Sequence, residues 1–416
     1  MTSPPRGKVF LVGAGPGDPG LITLRGIECL RQADLILYDY LVNPRLLEHT
    51  RPAARKECLG RHGQGRILSQ AEINAQMVDA ARSGETVVRL KAGDPIIFAR
   101  AAEEIDALTA AGVPLEIVPG ITAAFGAGSY AGIPLTMRDQ ASAVALVTGH
   151  ECADKQSPEL DFAPLAKFPG TLVVYMGVTS APRWVAALIA AGKSPTTPAA
   201  IVRRCSWPDQ RVLRTTLEKI PAEIEAQRIR PPVIVVVGEV TGFEGAARWF
   251  SDRPLFGQRI LVTRALEQIG AFGRQLEILG AEVVVQPAIE IGPARDQAAL
   301  EAAVAQAGDF DWLVFSSANG VRYFFERFVA QGYDARRLAQ TRLAVMGPGT
   351  RAALAEFKLH ADVEPDVRRA EALADALASD ARGKRFLLVR ASRGREVLAE
   401  RLTAAGGQVT QVVAYE

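Results

Sequence analysis

The chain has 416 residues, of which 48% are hydrophobic and 23% charged, with a formal net charge of +2. These values suggest two to four compact units with sizeable cores, and they give no argument for nucleic-acid binding. The polar, proline-rich N-terminus argues against a signal peptide, and the absence of an apolar run of about 18 residues argues against a membrane span. The four cysteines are scattered and form no CxxC pair, which argues against a zinc site. We therefore expect a cytoplasmic protein.

The first 250 residues alternate apolar, β-branched runs with amphipathic patterns. The runs predict strands at Lys8–Val12, Leu35–Tyr38, Thr86–Leu90, Leu115–Val118, Ala143–Thr148, Thr171–Tyr175 and Val233–Val237. Helices are predicted at Leu21–Ala33, Gln70–Ser83 and Glu103–Ala111, and Ser69 with Glu72 has the capping-box spacing. Several runs are continuously apolar, as in strands covered on both faces, so the alternation predicts an α/β fold with a mostly parallel sheet.

The turn after the first predicted strand contains four glycines in Gly13–Gly20. It lacks the third glycine of a dinucleotide-binding loop, because Asp18 occupies that place. Pro16 also has no N–H group to offer a phosphate. The sequence therefore favours a turn that lets the backbone approach a ligand other than a pyrophosphate, although a purely structural turn stays open.

Two further turns, Ala92–Pro95 and Pro119–Ala123, also follow predicted strands. Turns at the carboxyl ends of parallel strands form ligand crevices, so we predict that these turns and the first one surround one site. The acidic residues Asp18, Asp39 and Asp94 would suit a cationic ligand such as a sulfonium.

A longer, ordered set of motifs resembles the uroporphyrinogen-III C-methyltransferase family. The matching segments are Val12–Asp18, Ala33–Asp39, Val87–Pro95, Val118–Ala123, Tyr130–Thr136, Thr148–His150, Val174–Gly177, Pro208–Arg211 and Val236–Val240. The resemblance covers about residues 8–250, and its motifs are specific as a set. It implies a two-lobed tetrapyrrole-methylase fold, usually a homodimer, which transfers methyl groups from S-adenosyl-L-methionine to uroporphyrinogen III. The product, precorrin-2, feeds sirohaem or cobalamin synthesis, and no metal is implied.

The resemblance also assigns site residues. Contacts with the methyl donor are implied for Pro16, Ala92, Gly93, Asp94, Ile97, Thr122, Ala123, Met176 and Cys205. Asp39 matches the proposed catalytic base, which fits because a ring carbon that gains a methyl group must lose a proton. A structural role for Asp39, as a cap after its strand, is the alternative.

Some positions depart from the family pattern. Arg61 stands where the family has a proton-donating lysine, and an arginine stays charged, so we expect a carboxylate clamp rather than a general acid. Ala92 replaces a glycine, and Phe98–Ala102 replaces a glycine-rich run. These alanines would be harmful only where the backbone needs a positive φ.

The polycarboxylate substrate directs attention to local basic clusters. Two are present, one with Arg51, Arg55, Lys56, Arg61, His62 and Arg66, the other with Arg203, Arg204, Arg211 and Arg214. Most of these are expected to be ordinary surface charges, and a few are expected to line the cleft and attract a polyanion.

A polar, proline-containing stretch near Trp249–Gly257 predicts a linker between domains at 1–250 and 257–416. A second α/β series follows, with strands predicted at Arg259–Thr263, Glu282–Gln286, Trp312–Phe315, Arg342–Val345, Arg385–Val389 and Gln408–Ala414. The turns Ser316–Gly320 and Ala391–Gly394 are candidate ligand loops.

This second region is similar to uroporphyrinogen-III synthase. The residues that carry the likeness are Ile260–Arg264, Asp311–Val321, Val345–Thr350 and Val412–Tyr415. That family has two lobes, and here one lobe (about 300–413) looks whole while the other has only its opening β-α-β. We therefore expect little or no synthase activity, and an exposed strand edge that pairing with the methyltransferase surface would cover.

Two other functions stay open. A methylase of the same fold that acts on RNA or protein is disfavoured by Ile121–Ala123, by Thr148–His150 and by the low net charge. A non-catalytic tetrapyrrole carrier is suggested by Arg61, by Ala92 and by the incomplete synthase-like region.

Overall fold

The computed structural model describes residues 7–60, 67–150, 160–243 and 248–416. By its internal contacts the chain forms two compact units. The first contains Met1–Val262 and Gly270–Val285, and the second contains Thr263–Ile269 and Gln286–Glu416. None of the helices in the described ranges is long and apolar enough to cross a membrane.

The first sheet of the first unit is entirely parallel. Its strands are β1 (Lys8–Gly13), β2 (Leu35–Tyr38), β3 (Arg55–Cys58), β4 (Thr86–Lys91) and β5 (Leu115–Val118), in the order β3-β2-β4-β1-β5. The helices between them are α1 (Leu24–Gln32), α2 (Gln70–Arg82) and α3 (Ala101–Ala110). The predicted strands and helices are confirmed, with ends that differ by up to three residues, and the capping box at Ser69 is present. The sequence did not predict β3, because this edge strand is polar and largely exposed.

The second sheet is mixed. Its strands are β6 (Val144–Thr148), β7 (Thr171–Tyr175), β8 (Pro198–Arg203), β9 (Arg211–Thr216) and β10 (Val233–Val237), in the order β6-β7-β10-β8-β9. The accompanying helices are α4 (Ala123–Ala131), α5 (Phe162–Ala166), α6 (Ala181–Ala190) and α7 (Ile220–Ala226). β10 is buried in the centre and runs antiparallel to β7 and β8, and β9 is antiparallel to β8. The expected mostly parallel arrangement holds for the first sheet and for the β6–β7 pair, whereas β8, β9 and β10 pair antiparallel with their neighbours. For β8 and β9 the short connection between them suits only an antiparallel pair.

A small parallel pair completes the first unit. It contains β11 (Arg259–Val262), α8 (Gly270–Ile278) and β12 (Glu282–Val285). The stretch predicted as a linker packs against the rest of this unit, since Phe250 is buried and its ring lies edge-on to Tyr130, 4.6 Å away. The Leu255 N–H donates to the Leu279 carbonyl at 2.8 Å and so ties this stretch to the end of α8. The domain boundary at 250–257 stays a prediction.

The second unit contains one four-stranded parallel sheet. Its strands are β13 (Trp312–Phe315), β14 (Arg342–Val345), β15 (Arg385–Ala391) and β16 (Gln408–Tyr415), in the order β14-β13-β15-β16. Its helices are α9 (Gln297–Ala305), α10 (Ala318–Ala330), α11 (Pro348–Glu356), α12 (Ala370–Ala378) and α13 (Val397–Ala404). The buried faces of α10 and of the sheet pack together around Phe315, Phe324, Phe325 and Phe328.

Short 3₁₀ helices connect these elements in both units. They are Pro19–Leu21, Pro44–His49, Leu217–Lys219, Glu239–Gly242, Leu266–Gln268, Ala307–Asp309 and Ala335–Leu338. The first explains why the predicted helix at Leu21–Ala33 begins late: Pro19–Leu21 is a separate turn, and α1 begins after Thr23, whose side chain accepts a hydrogen bond from the Gly26 N–H.

Candidate functional site

Three glycine-containing turns meet at the carboxyl edge of the first sheet. Gly15 and Gly93 exchange backbone hydrogen bonds of 3.1 and 2.8 Å. A Cβ atom at Gly120 would lie 2.3 Å from the Gly93 carbonyl oxygen, and one at Gly13 would lie 2.5 Å from the Gly120 Cα atom. Only glycine permits this approach, so the three turns after β1, β4 and β5 form one packed surface.

That surface forms one wall of a cavity of about 680 Å³ in the first unit. The opposite wall comes from the second sheet, at the end of β7, the end of β8 and the start of β10. All of the residues predicted to contact the methyl donor, together with the predicted base, line this cavity: Pro16, Asp39, Ala92, Gly93, Asp94, Ile97, Thr122, Ala123, Met176 and Cys205. The structure thus brings them together from distant parts of the sequence, while their roles in binding stay predictions.

Asp94 holds two of the turns in place. One carboxylate oxygen accepts a hydrogen bond from the Ile96 N–H at 2.9 Å, and the other accepts from the Gly120 N–H at 3.0 Å. The second contact joins the turn after β4 to the turn after β5. Asp94 therefore fixes the shape of the cavity wall in addition to placing a negative charge there.

Two hydrogen bonds hold the carboxylate of Asp39 in place at the cavity wall. Its Oδ1 accepts a hydrogen bond from Nη2 of Arg89 at 2.6 Å, and its Oδ2 accepts from the Ala92 N–H at 3.3 Å. Arg89 is 4% exposed, whereas the Asp39 side chain is 31% exposed. The guanidinium therefore holds the carboxylate from the protein interior, and part of the carboxylate stays accessible.

A buried carboxylate completes this network. Glu104 on α3 is fully buried and accepts hydrogen bonds from Arg89 at 3.0 Å and from Lys91 at 2.7 Å. Burial lowers the pKa of Lys91, and the repulsion from Arg89 acts in the same direction, while Glu104 opposes both. We call Asp39, Arg89, Lys91 and Glu104 the charge network. The sequence analysis missed it, although two cations inside an otherwise apolar strand were a signal that a buried partner exists.

Tyr175 is a further site residue that the sequence analysis missed. Its hydroxyl group shares a hydrogen bond with that of Thr122, 2.6 Å away, and accepts another from the Ala124 N–H at 2.9 Å. Burial raises its pKa, so the phenol is neutral near pH 7. The ring of Phe98 lies 4.9 Å from the Tyr175 ring, and the two aromatic groups connect both walls of the cavity.

Cys205 is a neutral, packed thiol. Burial raises its pKa to about 12, and its Sγ lies 3.7 Å from the Ala123 carbonyl oxygen. A thiol in this state is a poor nucleophile, because the thiolate is the reactive form. Its place in the cavity is therefore that of an apolar wall.

The alanines that replace family glycines do not sit in the left-handed region. Among the non-glycine residues of this segment, positive φ values belong to Phe98 (52°) and Arg100 (55°), and neither Ala92 nor Ala99 has one. The concern that an alanine strains the backbone at these places is therefore removed.

The sequence offered four further candidates. Arg61 falls outside the described residues, as do His62 and Arg66. The suggestion that Asp18 offers its charge to a ligand is wrong, because Asp18 does not line the cavity. Its carboxylate accepts hydrogen bonds from the Gly20 N–H and from the Tyr130 hydroxyl group, both at 2.8 Å, and so caps a turn.

The second unit has its own cavity, of about 770 Å³, at the carboxyl edge of its sheet. Both predicted loops contribute, through residues such as Ser317 and Arg393. The charged residues that line it are Arg368, Arg369, Arg390, Arg393, Arg395 and Glu371. This excess of arginine suits an anionic ligand.

Comparisons with known proteins give a family match for each of the two regions of the chain. Residues 8–221 match the family described as tetrapyrrole (corrin/porphyrin) methylases, and residues 270–416 match uroporphyrinogen-III synthase HemD. A porphyrin biosynthesis protein HemD from Ruminiclostridium josui is 38% identical over 361 residues, which cover 87% of this chain and 71% of that protein. A uroporphyrinogen-III C-methyltransferase from Bacillus subtilis is 39% identical over 332 residues, 80% of this chain and 68% of that protein.

A solved structure shares the fold of the first unit. It is a cobalt precorrin-4 methyltransferase of cobalamin biosynthesis, 32% identical with a TM-score of 0.50, and the match covers 56% of this chain and 95% of that protein.

Proposed function

This chain belongs to the tetrapyrrole (corrin/porphyrin) methylases and carries a uroporphyrinogen-III synthase-like region, and we propose that its first unit methylates carbon atoms of uroporphyrinogen III to give precorrin-2. S-adenosyl-L-methionine is the proposed methyl donor. One observation carries the proposal: Asp39 and every predicted donor contact line a single cavity at the carboxyl edge of a parallel sheet. The Bacillus subtilis relative supports the choice of substrate.

The cavity fits a sulfonium donor. Its volume of about 680 Å³ lies within the range of sites for small molecules and cofactors. Ile97, Met176 and Val202 provide apolar surface for a nucleoside, and Asp94 places negative charge that attracts a cation. When bound, the donor supplies an electrophilic methyl group.

In the proposed reaction, Asp39 removes the proton that a ring carbon loses after it gains the methyl group. The Arg89 guanidinium and the Ala92 N–H fix the direction of the carboxylate, which saves the entropy of orienting it during turnover. Arg203 and Arg204 also line the cavity and provide positive charge for a polycarboxylate macrocycle. We keep Arg61 as a proposed carboxylate clamp.

Several finer assignments are part of the same proposal. We propose a cytoplasmic homodimer whose product enters sirohaem or cobalamin synthesis. For the synthase-like region we propose little activity in this chain. This is supported by the described strands of the synthase-like region: four form the sheet of the second unit, and the other two, β11 and β12, form only a two-stranded pair. An assay with the linear tetrapyrrole precursor tests this directly, and cyclisation at the rate of an active synthase would contradict it.

The main experiment combines purified chain, uroporphyrinogen III and methyl-labelled donor under reducing, anaerobic conditions. Label in the tetrapyrrole is the expected result, and mass spectrometry counts the methyl groups transferred. Label only in added RNA or protein would establish the alternative methylase, and porphyrin binding without transfer would establish a carrier. Later cobalt-containing precursors serve as competing substrates, because the structural relative is named for one of them.

A further inference from the structure

A second concavity of the first unit, of about 330 Å³, adjoins the donor cavity through Arg203, which lines both. Its other charged residues are Arg211, Arg228, Arg230 and Asp209. We call the four arginines the arginine groove. They come from β8, β9 and the segment between α7 and β10, so the fold brings them together.

The arginines repel one another in the free protein. Arg203 and Arg211 are directly opposite each other in the antiparallel β8–β9 pair, a position in which like charges destabilise a sheet. Among the described residues, Asp209 is the only acidic one that lines the groove. Its carboxylate is already bound by Arg203 at 3.2 Å and by Arg204 at 2.7 Å.

The positive charges of the remaining three arginines are therefore not paired within the groove. Within the described part of the chain, neither Arg211, Arg228 nor Arg230 forms an ion pair. Arg228 also adopts a left-handed backbone conformation (φ 49°), which costs free energy for a residue with a side chain. An arginine cluster that costs stability at these two points, next to a cavity with a proposed reaction, indicates binding of an anion.

We propose that the arginine groove binds peripheral carboxylates of the tetrapyrrole while the reacting ring lies in the adjoining cavity. The inference rests on the proposed function and adds a binding site to it. Guanidinium groups suit this ligand because each can bind a carboxylate through two parallel hydrogen bonds. The amino-acid part of the methyl donor also carries a carboxylate, so the experiment must separate the two sources.

The variants are Arg228→Gln, Arg230→Gln and their combination, in the full chain. Arg82→Gln is the matched control, since Arg82 is an exposed arginine at the end of α2 and lines neither cavity. At low ionic strength, we expect KM for uroporphyrinogen III to rise about threefold in each single variant and about tenfold in the double variant. We expect kcat and KM for the methyl donor to stay within about twofold, because the groove contacts only the periphery of the macrocycle.

Salt and substrate charge provide two further readouts. Raising the ionic strength weakens binding by the intact groove, so the difference between the wild type and the double variant is expected to shrink. A porphyrin with fewer carboxylates is expected to bind both proteins with similar affinity, as measured by fluorescence quenching. An effect on KM for the methyl donor alone would assign the groove to the donor carboxylate and overturn the proposal. So would a double variant that behaves like Arg82→Gln.

The binding measurement also separates this inference from the proposed function. If the wild type transfers no methyl group yet binds uroporphyrin more tightly than the double variant does, the methylase assignment fails and the groove stands. If the wild type methylates the tetrapyrrole and the double variant has the same KM, the methylase assignment stands and the groove fails.

Discussion

The two units begin their parallel sheets in the same way. Asp34 precedes β2, and its carboxylate and backbone N–H both bond to Thr86, the first residue of β4. Asp311 precedes β13 and makes the same pair of bonds with Arg385, the first residue of β15. In each unit the backbone carbonyl of the aspartate also accepts a hydrogen bond from the first residue of the strand on its other side, Arg55 or Arg342.

The carboxyl edges of the same sheets differ. In the first unit, glycine turns pack together and Asp39 and Asp94 face the cavity. In the second unit, the corresponding cavity is lined by five arginines. At the amino ends of the strands, both units therefore use an aspartate to join neighbouring strands. The residues at the carboxyl ends differ between the units, and these are the residues that determine which ligand each cavity can bind.

Removing the proposed base tests the carboxyl edge of the first unit most strongly. We expect Asp39→Ala to lower methyl-transfer turnover by about 10²–10⁴-fold, the usual range for loss of a positioned acid or base. Donor affinity, measured by calorimetry, is expected to stay within about twofold. Asp375→Ala, which removes an exposed aspartate paired with Arg401 in the second unit, is the control. Wild-type turnover in Asp39→Ala would show that Asp39 is not the base.

Removing Glu104 tests whether the charge network supports that edge. Glu104→Ala leaves the guanidinium of Arg89 and the ammonium of Lys91 buried without their shared carboxylate. We expect the free energy of unfolding to fall by about 3–5 kcal/mol, measured by chemical denaturation.

The neighbouring Glu103 provides a control for this effect. It pairs with Arg100 at the surface, so Glu103→Ala is expected to cost less than about 1 kcal/mol. Equal losses in the two variants would show that burial gives the network no special weight.

A methyl group at Gly120 tests the packing of the glycine turns. In Gly120→Ala the new Cβ would lie 2.3 Å from the Gly93 carbonyl oxygen, so the backbone must shift. We expect a loss of about 1–3 kcal/mol in stability together with weaker donor binding. Gly349→Ala is the matched variant in the second unit, where a Cβ meets no atom within 4 Å and the change is expected to be neutral or slightly stabilising. Unchanged donor binding in Gly120→Ala would show that this close approach does not shape the cavity.

The smallest effect concerns the shared device at the amino ends. The Thr86 N–H, aided by Arg51, lowers the pKa of Asp34, and the Arg385 N–H, aided by Lys384, lowers the pKa of Asp311. A lowered pKa in the folded state means that each carboxylate stabilises the fold above its ordinary pKa of 3.8 and loses this effect as the pH falls through the lowered value.

Asp34→Asn and Asp311→Asn should therefore each weaken the acid dependence of unfolding by less than about 1 kcal/mol, because both side chains are partly exposed. Acid titration of unfolding, followed by circular dichroism, measures the change. Similar losses would confirm that the two aspartates do the same work, and a loss in only one unit would break the comparison.

The sequence predicted the buried strands well, because continuous apolar runs such as Val233–Val237 leave few alternatives. It missed β3 and β9, whose polar residues reflect edge positions that only the sheet order defines. It also missed β8, which begins at Pro198 and holds two alanines. In the site, the glycine turns and Asp39 were found from motifs, whereas Arg89, Glu104 and Tyr175 were not, because their importance lies in contacts with residues distant along the chain.

The sequence by itself determined the alternation of strands and helices and the glycine and aspartate turns, since these depend on side-chain size, polarity and local backbone freedom. Only the tertiary structure decided which charges meet. Asp39, Arg89 and Glu104 form one network, in which Arg89 and Glu104 are buried, and Arg203 and Arg211 face each other, because strand order and register place them so. Electrostatic interactions depend on distance and burial, and these quantities exist only once the chain has folded.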